Sequence, residues 1–321
     1  MMTDAHAPLN AGEYNPPTSE IIAREQNTIE AARLLLAQRR LYSKSKRWLA
    51  LRTIGVLLIA IVTPSACLVW PKSAIVWGAI ATLWTFAGRT ALIQLEKRTS
   101  AKAAAVQEIF DTLIFGMPSQ GKRTPSPSLE EISAIAGADE SILPQAKEAK
   151  LLDWYDIDKA QDPLVTVAIC QRANASYSDR LLRTYANTWL GIVIAWTALL
   201  VTFGVVQKLN FTTFLLGVLL PLLPAFLNAF EYWFGIRRAA ADRSDLTATI
   251  EAKLEDNAKE LESEDLLVWQ SRLYTLRRDV PQVPNFIYKL KRKKNEATMK
   301  SVARLLSSRV KRSSDSENGE S

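Results

Sequence analysis

Two closely spaced pairs of apolar stretches constrain this chain more than any other feature: Leu49–Trp70 with Ser73–Gln94, and Thr188–Gln207 with Phe211–Phe230. An α-helix needs about 20 apolar residues to cross a hydrocarbon core about 30 Å thick, and each stretch meets that length. The near-zero mean hydropathy conceals them, because it averages apolar runs with highly charged regions. Side chains of this kind in such numbers cannot face water, so the chain reads as a membrane protein.

The gaps predict the topology. Trp70-Pro71-Lys72-Ser73 can only turn, since proline cannot continue a helical hydrogen-bond ladder, and Gln207-Lys208-Leu209-Asn210 is as short. Each pair is therefore expected to be a helical hairpin, with every large polar segment on one side. Arg39, Arg40, Lys44, Lys46, Arg47 and Arg52 precede or open the first stretch, and Lys97, Arg98 and Lys102 follow the second. Arg172, Arg180 and Arg183 precede the third, and Arg237, Arg238 and Arg243 follow the fourth, whereas the short turns hold only Lys72 and Lys208. The positive-inside rule then places the polar regions and both termini in the cytoplasm. Trp48, Trp70, Trp189 and Trp233 fall at the expected water–membrane boundaries, where amphipathic rings are favoured. The polar start of the chain has no apolar run of signal-peptide type, so no cleavable leader is expected. Cys67 and Cys170 are too far apart in this layout to pair, which suits a reducing compartment.

The expected fold is an all-α membrane protein in which two transmembrane hairpins flank a mainly helical cytoplasmic domain. Its parts are an N-terminal tail and helix (1–47), hairpin one (48–94), the cytoplasmic domain (95–187), hairpin two (188–235), cytoplasmic helices (236–280) and a basic, partly disordered tail (281–321). Helices are predicted over Ile21–Tyr42 and Ala101–Phe115. Ser128 with Glu131 has capping-box spacing, and Asp162-Pro163 has the N-cap and first-turn residues of another helix. That helix is expected to reach the third stretch, with a break near Ala173–Ser178. In Ile236–Leu261, Leu246, Ile250, Leu254, Ala258 and Leu261 share one face, which packs either on its own domain or against another subunit. Met299, Val302, Leu305, Leu306 and Val310 give the basic tail an apolar face suited to an anionic leaflet; a solvated tail is the competing reading, and nucleic acid ranks below both. The closing Ser/Asp/Glu/Asn run is expected to be disordered.

Catalytic chemistry is scarce. The single histidine, His6, sits in the N-terminal tail, so the usual general base and metal ligand are missing elsewhere. No phosphate-binding glycine loop, HExxH motif or cysteine cluster occurs. Asp111, Asp153 and Asp156 are carboxylates without convincing partners. We therefore expect no enzyme, no catalytic residue, no metal and no cofactor.

Polar groups at membrane depth are costly and often functional. Arg89, near the inner end of the second stretch, and Asn228 and Glu231, near that of the fourth, stand at similar depth. They either snorkel to the interface or line the inner mouth of a pore, with Arg89 facing Glu231. Pro64, Pro221 and Pro224 are candidate kinks, and Ala74, Gly78 and Thr82 form a small-residue face for close helix packing.

Several strings occur in an order that resembles a bacterial family. They are Phe110-Asp111-Thr112-Leu113-Ile114-Phe115 with Pro118, then Leu152-Asp153-Trp154-Tyr155, then Ile169-Cys170-Gln171-Arg172-Ala173-Asn174. Leu182, Arg183 and Tyr185 follow, and past the last apolar stretch comes Val283-Pro284-Asn285-Phe286-Ile287-Tyr288. With the two-plus-two layout, the chain is similar to the SMODS-associated four-transmembrane pore-forming effectors over roughly Gln26 to Met299. It departs from them at Ser119-Gln120, where the family carries Trp-Asn, and at Tyr177-Ser178-Asp179, where it carries Trp-Asp. The resemblance implies an inner-membrane effector of antiphage defence (CBASS), acting beside a nucleotidyltransferase that makes a cyclic oligonucleotide on infection. It implies membrane lipids and copies of itself as partners, because four helices are too few to enclose a wide channel. For the ligand, Arg172, Arg180 and Arg183 offer phosphate contacts, Trp154, Tyr155 and Tyr177 offer stacking faces, and Gln171 and Asn174 lie in the family strings. Each of these residues also has an ordinary reading as a packing, capping or topology-setting group. The alternative to a pore is a non-conducting anchor that recruits a partner or senses lipid.

Overall fold

The computed structural model describes residues 14–70, 74–118, 125–215, 219–256, 260–279 and 281–318, and among these no strand occurs. The helices are α1 (Ser19–Glu25), α2 (Ile29–Val69), α3 (Ala74–Ala87), α4 (Ile93–Phe115), α5 (Leu129–Ala136), α6 (Asp139–Glu148), α7 (Pro163–Val206), α8 (Phe211–Phe214), α9 (Leu220–Asp256), α10 (Ser263–Arg278) and α11 (Asn285–Asn318). A π turn, Gly88–Leu92, joins α3 to α4 without a break in the helical run.

Apolar stretches and polar segments therefore share helices. The first stretch is the C-terminal part of the 41-residue α2, and the third is that of the 44-residue α7. The second flows through the π turn into α4, and the fourth enters α9. Two runs, Ile75–Phe115 and Pro163–Val206, are long and apolar enough to cross a membrane, yet only 6% of the apolar window of each is buried. A water-soluble protein would hide such helices in its core. Here Ile75 is 85% exposed and Val205 72%, an exposure that suits an apolar surrounding medium. The first stretch ends at residues 71–73 and the fourth contains residues 216–218, and both segments lie outside the described residues. The helical backbone continues through Pro64, Pro221 and Pro224.

Packing within the hairpins is close and specific. The Trp84 ring lies against Gly55, where an added Cβ would meet it at 2.1 Å. The small-residue face around Gly78 has no heavy atom within 4 Å of where a Cβ would stand. In the second hairpin the Trp189 indole donates to the Ala229 carbonyl at 3.0 Å, and Trp196 packs on Phe226 with 5.1 Å between ring centroids.

The polar segments share one main core, with smaller clusters beside it. Ile22, Leu35, Phe110, Phe115, Ile142, Leu246, Ile250 and Leu266 come from six helices and are almost completely buried together. Local signals end the helices as the sequence predicts. The Ser128 hydroxyl accepts from the Glu131 amide at 3.2 Å, and the Asp162 carboxylate from the Val165 amide at 3.1 Å. Gly116 closes α4 at φ 63°, a left-handed conformation costly to any residue bearing a Cβ. Three arginines of α2 serve as staples: Arg33 pairs with Asp139 at 2.6 Å, Arg39 donates to the Ala149 carbonyl at 2.6 Å, and Arg40 donates to the Ile135 carbonyl. Cations at the C-terminal carbonyls of short helices also oppose the helix dipole favourably.

Three expectations change. α7 runs unbroken through Ala173–Ser178, because Ala175 and Ser176 are buried in it and continue its packed face. Ile21–Tyr42 is not one helix, since a turn at Gln26–Thr28 separates α1 from α2. The basic tail is a helix to Asn318, through the Ser/Asp/Glu run expected to be disordered, and it lies along the domain. Met299 and Leu306 are buried, and Val302 and Val310 pack against the core. Arg309 pairs with Glu255 at 2.5 Å and Ser307 donates to Gln161 at 2.6 Å. The apolar face of the tail is thus turned on its own protein, except for Leu305, which is exposed. The same holds for Leu246, Ile250, Leu254 and Leu261, which pack on their own domain; Ala258 lies outside the described residues.

Candidate functional site

A cavity of about 380 Å³ opens where the polar continuations of the apolar helices converge. α2 supplies Gln38, Arg39, Tyr42 and Lys46; α4 supplies Gln107; α7 supplies Asn174, Tyr177 and Ser178; and α9 supplies Arg243. Arg277 of α10, Gln282 of the following linker, and Asn285, Tyr288 and Arg292 of α11 complete the lining, with Trp154 from the loop before α7. Five cationic side chains meet four aromatic rings there, and no carboxylate among the described residues lines the cavity. Its size lies within the range of small-molecule sites.

Two of the cations, Lys46 and Arg243, are held charged against the cost of burial. Burial and the neighbouring Arg39 charge lower Lys46 to about 8. Its ammonium donates to Asn285 Oδ1 at 3.1 Å and sits 5.5 Å from the Tyr288 ring centroid. Burial lowers Arg243 to about 10, and its guanidinium donates to the Ala239 carbonyl at 2.6 Å and to that of Leu276. Arg292 stands 5.8 Å from the Tyr288 ring and donates to Glu296 at 2.5 Å. Tyr288 in turn meets Tyr177 edge-on, 6.5 Å between centroids.

Behind the cavity lies a buried polar network. Arg277 approaches Asp111 Oδ2 at 2.7 Å and Glu108 at 3.8 Å. None of its guanidinium nitrogens has a hydrogen-bond partner aligned with it, so the attraction is one of charge. Burial alone would lower Arg277, but Asp111, Tyr155, Glu108 and Tyr42 together keep it firmly protonated. The Tyr155 hydroxyl donates to Asp111 at 2.8 Å and accepts from the Asn174 amide at 3.1 Å. Gln270 donates to Glu108 at 2.8 Å, and Gln171 donates to Gln270 at 3.1 Å and to the Leu266 carbonyl at 2.9 Å.

This geometry suits a polyanion with flat groups: guanidinium and ammonium groups bind phosphate, and aromatic faces stack bases. A second cavity of about 370 Å³ lies between α7 and α11, but Asp156 and Asp158 line it, which disfavours an anion. Burial, then Asp111 and Asp156, pushes the Cys170 thiol at its edge upward, so that sulfur is inert. Among the described residues no group of metal-ligating side chains converges.

Comparison with known proteins gives this architecture a family. The family model of the SMODS-associating 4TM effector domain matches residues 20–306. The chain belongs to that family. A Bacillus cereus (strain VD146) protein named as a probable CBASS effector molecule is 23% identical over 287 residues, which cover 86% of this chain and 94% of the relative. No solved structure matches.

Of the residues singled out from the sequence of this effector, Trp154 and Asn174 line the cavity, as does Tyr177. The others stand elsewhere. Tyr155 and Gln171 are in the buried network, Arg172 is engaged by Glu251 at 2.5 Å, and Arg183 pairs with Asp179 at 2.7 Å one helical turn away. Arg180, beside Asp179 on α7, is half-buried and does not line the cavity. Arg89, Asn228 and Glu231 are exposed, and within one chain Arg89 makes no ion pair with Glu231. Where the first pair of apolar stretches meets the polar segments, Arg52 pairs with Glu96 at 3.2 Å. The cavity cations Arg39, Lys46, Arg243, Arg277 and Arg292 were not legible as ligand groups. Their only sequence signal is a positive charge next to an apolar stretch or in a basic tail, which topology explains equally well.

Proposed function

We propose that this chain is a CBASS effector of the bacterial inner membrane, with four crossings and cytoplasmic termini, gated by a cyclic oligonucleotide bound in the basic cavity. One observation carries the reading. The cavity wall takes residues from α2, α4, α7 and α9, and these are the continuations of all four apolar stretches. A ligand that draws these walls together acts on every crossing at once, with no linker to absorb the movement. The anionic backbone satisfies Lys46, Arg292 and Arg277, and bases stack on Tyr177, Tyr288 and Trp154. Four helices enclose no wide channel, so a conducting state assembles from several subunits. The exposed Arg89, Asn228 and Glu231 then stand at its inner mouth.

The test is dye release from liposomes carrying the purified effector, titrated with a panel of cyclic oligonucleotides, alongside calorimetric binding. Lys46→Met and Arg292→Met each remove a charged contact worth about 1.5–3 kcal/mol, so affinity should fall about tenfold or more. Unchanged binding in the double variant would refute the cavity as the site. Ligand binding without any leakage, from folded and inserted protein, would favour the non-conducting anchor.

A further inference from the structure

The side of α11 turned away from the cavity has an exposed apolar pair at its membrane-proximal end. Phe286 and Leu290, one turn apart, are 61% and 74% exposed, although Ile287 between them is fully buried. Ile287 packs with Leu182, Tyr185 and Ala186 of α7 and with Ile236 and Ala240 of α9. That contact fixes the depth of the pair. Leu182–Ala186 precedes Thr188, the start of the third apolar stretch, by two to six residues, which is about 3–9 Å at 1.5 Å per residue. A headgroup layer is about 5–7 Å thick on each side of the hydrocarbon. The Lys46–Asn285 contact places the start of α11 level with the entrance to the first stretch as well. Exposed Lys293 and Lys294 continue the same face of α11.

We propose that the first three turns of α11 dock on the anionic inner leaflet, with Phe286 and Leu290 among the upper acyl chains and Lys293 and Lys294 on lipid phosphates. The occupant follows from continuity: the exposed apolar faces of α7 and α9 directly above already require lipid, and the same leaflet reaches this pair. It also follows from charge, because basic residues beside an apolar pair match an anionic interface. The apolar residues first expected to face lipid, Met299, Val302 and Leu306, are instead turned into the domain. Since Tyr288 and Arg292 line the cavity from the other side of the same three turns, lipid contact and cavity occupancy bias one element and must be reciprocal.

This inference rests on the membrane placement proposed above, and the experiment separates the two. In the full-length chain with Cys67→Ala and Cys170→Ala, single cysteines are introduced by Phe286→Cys, Leu290→Cys, Ile194→Cys or Ser301→Cys and labelled with a fluorophore. Each protein is reconstituted into phosphatidylcholine vesicles with or without phosphatidylglycerol. Lipids brominated at shallow acyl positions should quench positions 286 and 290 several-fold more than position 301, and acrylamide should show the reverse order. Lys293→Glu with Lys294→Glu should return position 286 to acrylamide in the anionic vesicles. If 286 and 290 are as open to acrylamide as 301 while 194 is lipid-quenched, the docking is wrong and the membrane placement stands. If 194 is not lipid-quenched, both fail. Excimers between pyrene labels at 286 would assign the pair to a second copy and overturn the proposal. Equal lipid quenching without phosphatidylglycerol would overturn its anionic component.

Discussion

Replacing Arg277 by methionine tests the buried network behind the cavity most directly. The side chain is 6% exposed and stands 2.7 Å from Asp111 and 3.8 Å from Glu108, whose side chains are 1% and 6% exposed. Arg277→Met keeps most of the packed volume but strands two carboxylates away from water. Breaking a buried ion pair by removing one partner costs about 3–5 kcal/mol, and 1 kcal/mol moves the midpoint of a domain of 150–250 residues by about 2–4 °C. The expected loss is therefore about 10 °C in the thermal unfolding of detergent-purified protein. Adding Asp111→Asn should recover part of it. The Asn Oδ1 still accepts from the Tyr155 hydroxyl, and Gln270 still holds Glu108 at 2.8 Å. We expect the double variant to be about 1–3 kcal/mol more stable than the sum of the singles predicts. Additivity within about 0.5 kcal/mol would refute the coupling, and with it the idea that Arg277 is held in place by those carboxylates.

Other consequences follow from single contacts. With Lys46 lowered to about 8 by burial and Arg39, a bound phosphate favours the ammonium form. Anion affinity should therefore be full below pH 8 and decline as pH rises through it, with proton uptake on binding above pH 8. Titrations at several pH values check this, and Lys46→Arg should flatten the profile. Gly55→Ala forces a Cβ to within 2.1 Å of the Trp84 ring and should cost about 1–3 kcal/mol as overpacking. Gly78→Ala, with nothing within 4 Å, should leave the melting temperature of the monomer unchanged. Arg89→Gln and Glu231→Gln should leave thermal stability unaltered, because the two are exposed and unpaired with each other, yet change the salt dependence of any ligand-induced leakage; an unchanged leak would remove them from the inner mouth.

Much of the fold was legible because its signals are local. The Ser128 and Asp162 caps, the stop at Gly116 and the buried stripe Leu246–Ile250–Leu254 each depend on residues within a turn or two of one another. The tail misled because helical spacing of Met299, Val302 and Leu306 states only that an apolar face exists. Whether lipid or the flank of α7 covers it depends on a segment more than 100 residues away. The same limitation separated the candidate ligand residues. Arg172 and Asn174 are two positions apart on α7, yet one faces Glu251 and the other the cavity.

The sequence by itself determined that this chain contains membrane-length apolar helices, which side carries the positive charge, and which family strings it shares. Length, hydropathy and net charge are sums over neighbouring residues and need no knowledge of what packs where. Only the tertiary structure decided which cations converge. Each residue turns a helix by about 100°, so the facing of Arg39, Lys46, Arg243, Arg277 and Arg292 depends on the rotational phase of four helices, α2, α9, α10 and α11, against one another. That phase is set by contacts such as Trp84 on Gly55, Trp189 on Ala229 and Ile287 between α7 and α9, all of them between segments distant in the chain.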